Sequence, residues 1–174
     1  MADRLPSTLP SVWDDHSVRR ARNFRRAGLI LLALVVLAGL AGFLGIRTAS
    51  VTGEGHGYRM TVTHAQVTRA GIAVPFHVRV THPGGFDGTL TLAISEGLLE
   101  RFDFQNFYPN PSAETATADY VYYEFDPPPG DVFELNLDAR TSPDQNGSTT
   151  VYRTALLLDD RPVTDVSFRL WVVP

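Results

Sequence analysis

The side chains in this 174-residue chain that can carry chemistry are its histidines and carboxylates, and their spacing decides what that chemistry can be. Four of the five histidines, His56, His64, His77 and His82, fall within residues 56–82. A metal site encoded in sequence repeats its donors at a ligand spacing, as with two histidines four apart on a helix or alternating acids in a loop. His77 and His82 are instead five apart across a strand end, so the histidines read as surface residues. The carboxylates Glu96, Glu100, Asp103, Glu124, Asp126 and Asp131 are the candidates for acid–base work. Glycoside hydrolysis uses two such groups about 5–10 Å apart in a cleft, which leaves an envelope hydrolase with a carboxylate pair as one alternative function. Asp126 and Asp131 with neighbouring carbonyls are a calcium candidate, because hard cations take clustered oxygens. No spacing singles out either arrangement. Gly-x-Ser-x-Gly is absent, and with it the sharp turn that exposes a nucleophilic serine. The chain has no cysteine, which excludes disulfides, thiolate zinc sites, iron–sulfur clusters and a cysteine nucleophile. The expectation is a non-enzymatic protein without catalytic, cofactor-binding or metal-ligating residues.

A different recognition chemistry is offered by the aromatics. Eight of the chain's eighteen lie in residues 102–125: Phe102, Phe104, Phe107, Tyr108, Tyr120, Tyr122, Tyr123 and Phe125. Aromatic side chains supply large contact area at modest entropic cost and are enriched at binding hot spots. If Val121, Tyr123 and Phe125 face a core, alternation turns Tyr120 and Tyr122 outward. Phe104, Phe107, Tyr108, Tyr120 and Tyr122 are therefore the expected partner patch, against the alternative that the loop aromatics cover an open end of the fold.

The elements that position these groups are strands. Apolar residues recur at period two through Met60–Val62, Val74–Val80, Leu90–Ile94, Val121–Phe125, Phe133–Leu137, Val151–Leu158 and Val163–Val173. The last two runs join through Asp159-Asp160-Arg161-Pro162, a hairpin-like connection. Turn signals separate the others: His-Pro-Gly-Gly at 82–85, Pro-Asn-Pro at 109–111, Pro-Pro-Pro-Gly at 127–130 and Ser-Pro-Asp-Gln-Asn-Gly at 142–147. Only Glu96–Phe102 offers a short helix. About seven strands spaced in this way predict an all-β, antiparallel immunoglobulin-like sandwich over 58–174. In strand count and spacing this region resembles bacterial extracellular immunoglobulin-like or fibronectin-type-III-like modules. The resemblance is architectural, brings no functional residues with it, and lacks the cysteine pair of immunoglobulin domains.

Ahead of the strands, residues 27–46 contain no charged or strongly polar side chain. Twenty residues at 1.5 Å each give about 30 Å of helix, the thickness of a bilayer's hydrocarbon core. A single transmembrane helix is expected, kept as a signal anchor because its apolar core is longer than that of a cleaved signal. Arg19, Arg20, Arg22, Arg25 and Arg26 precede it and Arg47 alone follows closely, so the tail 1–26 is expected in the cytoplasm and the strands outside. The five arginines are the expected contacts to anionic lipid at about 1 kcal/mol each near the surface, and with no fold around them nucleic-acid binding is not expected. The tail carries a net charge of +3 and residues 47–174 carry −7. Residues 47–57, small, polar and glycine-rich, read as a flexible spacer. The absence of lysine among fifteen basic residues matches the bias of a GC-rich bacterial genome.

Within the span, Ala38, Ala41, Gly42 and Gly45 share one helix side and form a small-residue face on which another helix can pack closely. The reading this supports is an accessory or assembly subunit of a larger bacterial membrane complex, partnered by an integral membrane protein or by copies of itself. An independent envelope module binding glycan or protein is the first alternative.

Overall fold

The computed structural model describes residues 15–41, 47–143 and 147–173. The chain divides into two compact units, Met1–Gly45 and Ile46–Pro174. In the first, α1 runs Asp15–Leu40. It starts well before the expected boundary at residue 27, because Arg and Ala, which make up seven of the nine residues 19–27, are strong helix formers and no proline interrupts residues 11–40. The expected cytoplasmic arginines thus belong to the same helix as the apolar stretch. From Ala27 to Leu40 that stretch is fourteen residues, about 21 Å of helix. The remainder of the expected span, 42–46, lies outside the described residues.

The second unit is mostly β-sheet. Its elements are β1 (Arg47–Gly55), β2 (Tyr58–Arg69), β3 (Ala73–Thr81), β4 (Leu90–Ser95), α2 (Glu96–Arg101), β5 (Phe102–Tyr108), β6 (Ala113–Ala116), β7 (Tyr120–Phe125), β8 (Val132–Thr141), β9 (Ser148–Leu158) and β10 (Arg161–Val173). All the expected strands and the short helix are present. Ten strands, however, join one hydrogen-bonded sheet in the order β5-β8-β3-β2-β10-β9-β4-β7-β6, with β1 added on β2. This corrects the expectation of about seven strands in a separate-sheet sandwich: the arrangement is a curled half-barrel.

The curl has a seam. The β2–β10 pairing is parallel and only three residue pairs long, from Trp171–Val67 to Val173–Arg69. On one side of it stand β1, β2, β3, β8 and β5, and on the other β10, β9, β4, β7 and β6. The inner faces of the two halves close on each other, as Phe76 on Phe168 (centroids 5.9 Å apart), Phe107 on Tyr123 (4.7 Å) and Phe125 on Phe133 (5.1 Å) show. Met60, Val62, Val78, Val80, Leu90, Leu92, Leu135, Leu156 and Val172 are fully buried between them.

Three strands escaped the sequence reading, each for a physical reason. Residues 47–57, expected as a flexible spacer, hold β1, which pairs with β2 along its whole length. On its outer side Ser50 bonds Thr63 at 2.8 Å, Thr52 bonds Thr61 at 3.0 Å, and Glu54 meets Arg59 at 2.7 Å. On its inner side Val51 packs on the core, while Gly53 and Gly55 lie against the backbone of β10. A Cβ at Gly53 would sit 2.7 Å from the Asp165 carbonyl oxygen, and one at Gly55 would collide with that of Val163. The glycines therefore permit close approach rather than flexibility. In β5 a register shift between Phe104 and Asn106 breaks the alternation. β6 is four exposed residues and has no hydrophobic pattern to read.

Two tight hairpins carry their turn at left-handed residues, His56 (φ 52°) with Gly57 (φ 84°), and Asp159 (φ 47°) with Asp160 (φ 61°). Two consecutive positive φ values make the turn whose twist matches that of the flanking strands. The Asp159–Asp160 connection is thus the hairpin the sequence suggested.

Candidate interaction surfaces

On α1, nine Leu, Ile and Val side chains between Leu29 and Leu40 are 50–81 % exposed. Among the described residues α1 is the one helix long and apolar enough to cross a membrane. Arg19, Arg20, Arg22, Arg25 and Arg26 are exposed along its N-terminal half. Of the small-residue face, Ala38 is half-buried and Ala41 exposed, three residues apart at the helix end. Gly42 and Gly45 lie outside the described residues.

The aromatic stretch is divided by the fold rather than gathered into one patch. Phe102, Tyr123 and Phe125 are core residues. Phe104 is half-buried and packs on Phe76 and Phe102 at 5.8 and 5.9 Å, and Phe107 is half-buried on Tyr123. These two expected patch members therefore pack against the core that the curl of the sheet closes. Tyr108 is 78 % exposed at the end of β5. Tyr120 and Tyr122 form a pair on the outer side of β7 with centroids 6.4 Å apart, as alternation required. Tyr122 continues a row across three strands, pairing with Ala93 of β4, which pairs in turn with Ala155 of β9. Its neighbours leave Ala93 only 3 % exposed although it points away from the core. Ala155 and the two tyrosines are thus the partly exposed members of this outer row, a feature visible in sequence only once the strand register is known.

The histidines correct the expectation of a uniformly surface set. His64 is buried, stacked on Phe168 at 4.3 Å, with its Nδ1–H donating to the Ala65 carbonyl at 2.9 Å. Burial lowers its pKa from the ordinary value, and the bond to the Ala65 carbonyl opposes that shift. His82 stacks on Tyr58 at 3.9 Å and reaches the Gly57 carbonyl at 3.2 Å. His56 reaches the Val163 carbonyl at 3.3 Å. Both are engaged in holding hairpin tips. Among the described residues no three histidine, aspartate or glutamate side chains cluster as metal ligands.

The carboxylates are spread between the two ends of the sheet. Asp103 lies opposite Arg140 at one end of β8 and holds the Gln105 amide at 2.9 Å, whereas Asp131 precedes the other end of the same strand. Nine residues of strand separate those ends, roughly 30 Å. Asp126, following Phe125 of β7, belongs with Asp131. Perturbed ionisation follows burial: the Tyr123 phenol is pushed up to about 12 by burial and, secondarily, by the Glu114 charge. Burial likewise raises Tyr58, with Asp87 adding to it, and Tyr152, where a bond to Thr150 and the Arg101 charge oppose it. Each of these shifts favours the neutral side chain, which suits a packed core.

Where β1 enters the sheet, Trp171 of β10 is 50 % exposed, and Ile72, in the turn between β2 and β3, is 38 % exposed. The outward position of Trp171 was legible in the alternation of Val166, Phe168, Leu170 and Val172, all of which are buried. A scan of known protein-family models and a search of curated proteins both return no match for this chain.

Proposed function

We propose that this chain is a single-pass membrane protein of the bacterial cell envelope, its N-terminus cytoplasmic and its sheet unit outside. In this reading it is a non-enzymatic accessory or assembly subunit that engages its partner through α1 and the outer unit. The observation that carries it is the length and apolar composition of α1, whose exposed side chains suit lipid or another helix around them. Ala38 and Ala41, continued in sequence by Gly42 and Gly45, supply the close-approach side for a helix partner. The arginines from 19 to 26 favour the cytoplasmic side for the N-terminal half of the helix and contact anionic lipid there. Outside, the Tyr120–Tyr122 pair with Ala155 is the face we assign to partner contact, because apolar surface with tyrosine hydroxyls suits a protein interface. The mostly β-sheet module is compatible with a β-sandwich-like architecture.

The test is copurification of the full-length chain from its native membranes. Gly42→Leu with Gly45→Leu is expected to lower recovery of the partner by about tenfold, equivalent to about 1.4 kcal/mol. Unaltered recovery sinks the helix interface.

A further inference from the structure

The end of the sheet at which β1 begins carries an exposed tryptophan and an exposed isoleucine close to the residue that follows the apolar segment 27–46. Arg47, the first residue of β1, directly follows the apolar segment 27–46. It pairs with Val67 of β2, and Val67 pairs on its other side with Trp171. Trp171 therefore lies two strand spacings, roughly 10 Å, from the residue at which the chain leaves that segment.

Trp171 is half-exposed, and Ile72 projects from the adjoining turn. This turn is held rigidly. Thr141, fully buried, accepts from the Ile72 N–H at 3.1 Å and donates its hydroxyl to the Arg69 carbonyl at 2.6 Å. Its own backbone accepts from Gly71 and donates to the Ile72 carbonyl. A buried side chain is thus used to fix an exposed isoleucine. Exposed guanidinium groups flank both apolar residues: Arg69 precedes the turn, and Arg169 is the next residue on the Trp171 side of β10. Glu100, Asp103 and Asp119 share this end of the unit, so bulk charge does not drive adhesion there. Tryptophan with arginine is nevertheless the pairing that seats in the headgroup region, the indole in the interfacial layer and the guanidinium on phosphate. The opposite end, some nine residues along β1, carries Asp87, Asp126, Asp131, Asp159 and Asp160 and repels an anionic surface.

We infer that Trp171 and Ile72, with Arg69 and Arg169, form a docking surface for the phospholipid headgroups of the outer leaflet, so that the sheet unit stands end-on upon the membrane that anchors it. The inference rests on the reading of 27–46 as the span.

The test uses the full-length chain in phosphatidylcholine vesicles containing a minor fraction of phosphatidylglycerol. The chain has two tryptophans, so Trp13→Phe leaves Trp171 as the sole reporter. Replacing the lipids by ones brominated near the headgroup is expected to lower Trp171 emission by about two-fold, as for an interfacial indole. A second reporter separates the two claims: Leu34→Trp, with both native tryptophans changed to Phe, reads out the helix with lipids brominated at the chain centre. Quenching at both positions supports the docking surface. Quenching of Leu34→Trp with unquenched, water-exposed Trp171 overturns it and leaves the anchor standing. Loss of quenching at both overturns the anchor and the docking surface together. Quenching of Pro127→Trp, placed at the acidic end in the same background, overturns the end-on arrangement.

Discussion

Arg47 and Trp171 pair with the same residue, Val67, from its two sides. The first strand of the sheet unit and its last strand are thereby locked together by the far end of β2. That row begins the three-pair parallel seam on which the two halves of the sheet hinge. Proline at Val67 would remove a backbone donor from a position paired on both sides, and prolines are confined to edges and bulges for this reason. Val67→Pro is expected to cost about 3 kcal/mol or more, read by chemical denaturation of the full-length chain in detergent. Gln66, one residue earlier and exposed in the irregularity where β1 shifts register, is expected to tolerate Ala within about 0.5 kcal/mol. Equal effects at the two positions would show that the seam is dispensable.

Thr141 isolates the contribution of a single hydroxyl. Thr141→Val keeps the volume but leaves the Ile72 N–H and the Arg69 carbonyl without the partner they share. Buried polar groups stranded in this way cost about 1–3 kcal/mol. The same denaturation measurement reads it, and a variant as stable as the parent would mean that water replaces the hydroxyl at this turn.

Gly55 tests whether β1 is structural. Alanine there meets the Val163 carbonyl, which is backbone and cannot swing aside. Gly55→Ala is expected to destabilise by about 1–3 kcal/mol through overpacking. Gly71→Ala faces open space but has φ at +74°, so its smaller cost of about 1 kcal/mol arises from backbone strain alone. A neutral Gly55→Ala would return residues 47–57 to the status of a spacer.

The β character, seven of the ten strands, the short helix and the Asp159–Asp160 hairpin could be read from alternation and turn residues, because a two-sided sheet writes its burial into period two. Local pattern does not carry the pairing partners. Gly53 and Gly55 look like a linker until β10 is seen to pass beneath them, and His64 looks like its exposed neighbours until Phe168 stacks on it. The packing of the aromatic stretch is hidden in the same way: Phe104 and Phe107 turn toward Phe76 and Tyr123, which are distant in sequence. Tyr120 and Tyr122, whose orientation alternation does determine, came out as expected.

His64 gives the fold a pH dependence with a definite sign. Its folded pKa is lowered from 6.5 by burial, so the unfolded chain binds the proton more readily. The stabilisation due to neutral His64 is complete above about 6.5 and is lost as pH falls from there through the lowered folded value. Thermal midpoints of the full-length chain should fall across that window, and less so in His64→Leu. Identical slopes in the two proteins would assign the dependence to other groups.

The proposed role requires that the chain work within a membrane assembly. Native mass measurement of the full-length protein, released from its own membranes in mild detergent, addresses this most directly. A defined complex with an integral membrane partner or with further copies of the chain, lost when Gly42 and Gly45 are both changed to Leu, is the predicted result. A chain that emerges as a lone monomer, with or without those substitutions, contradicts it.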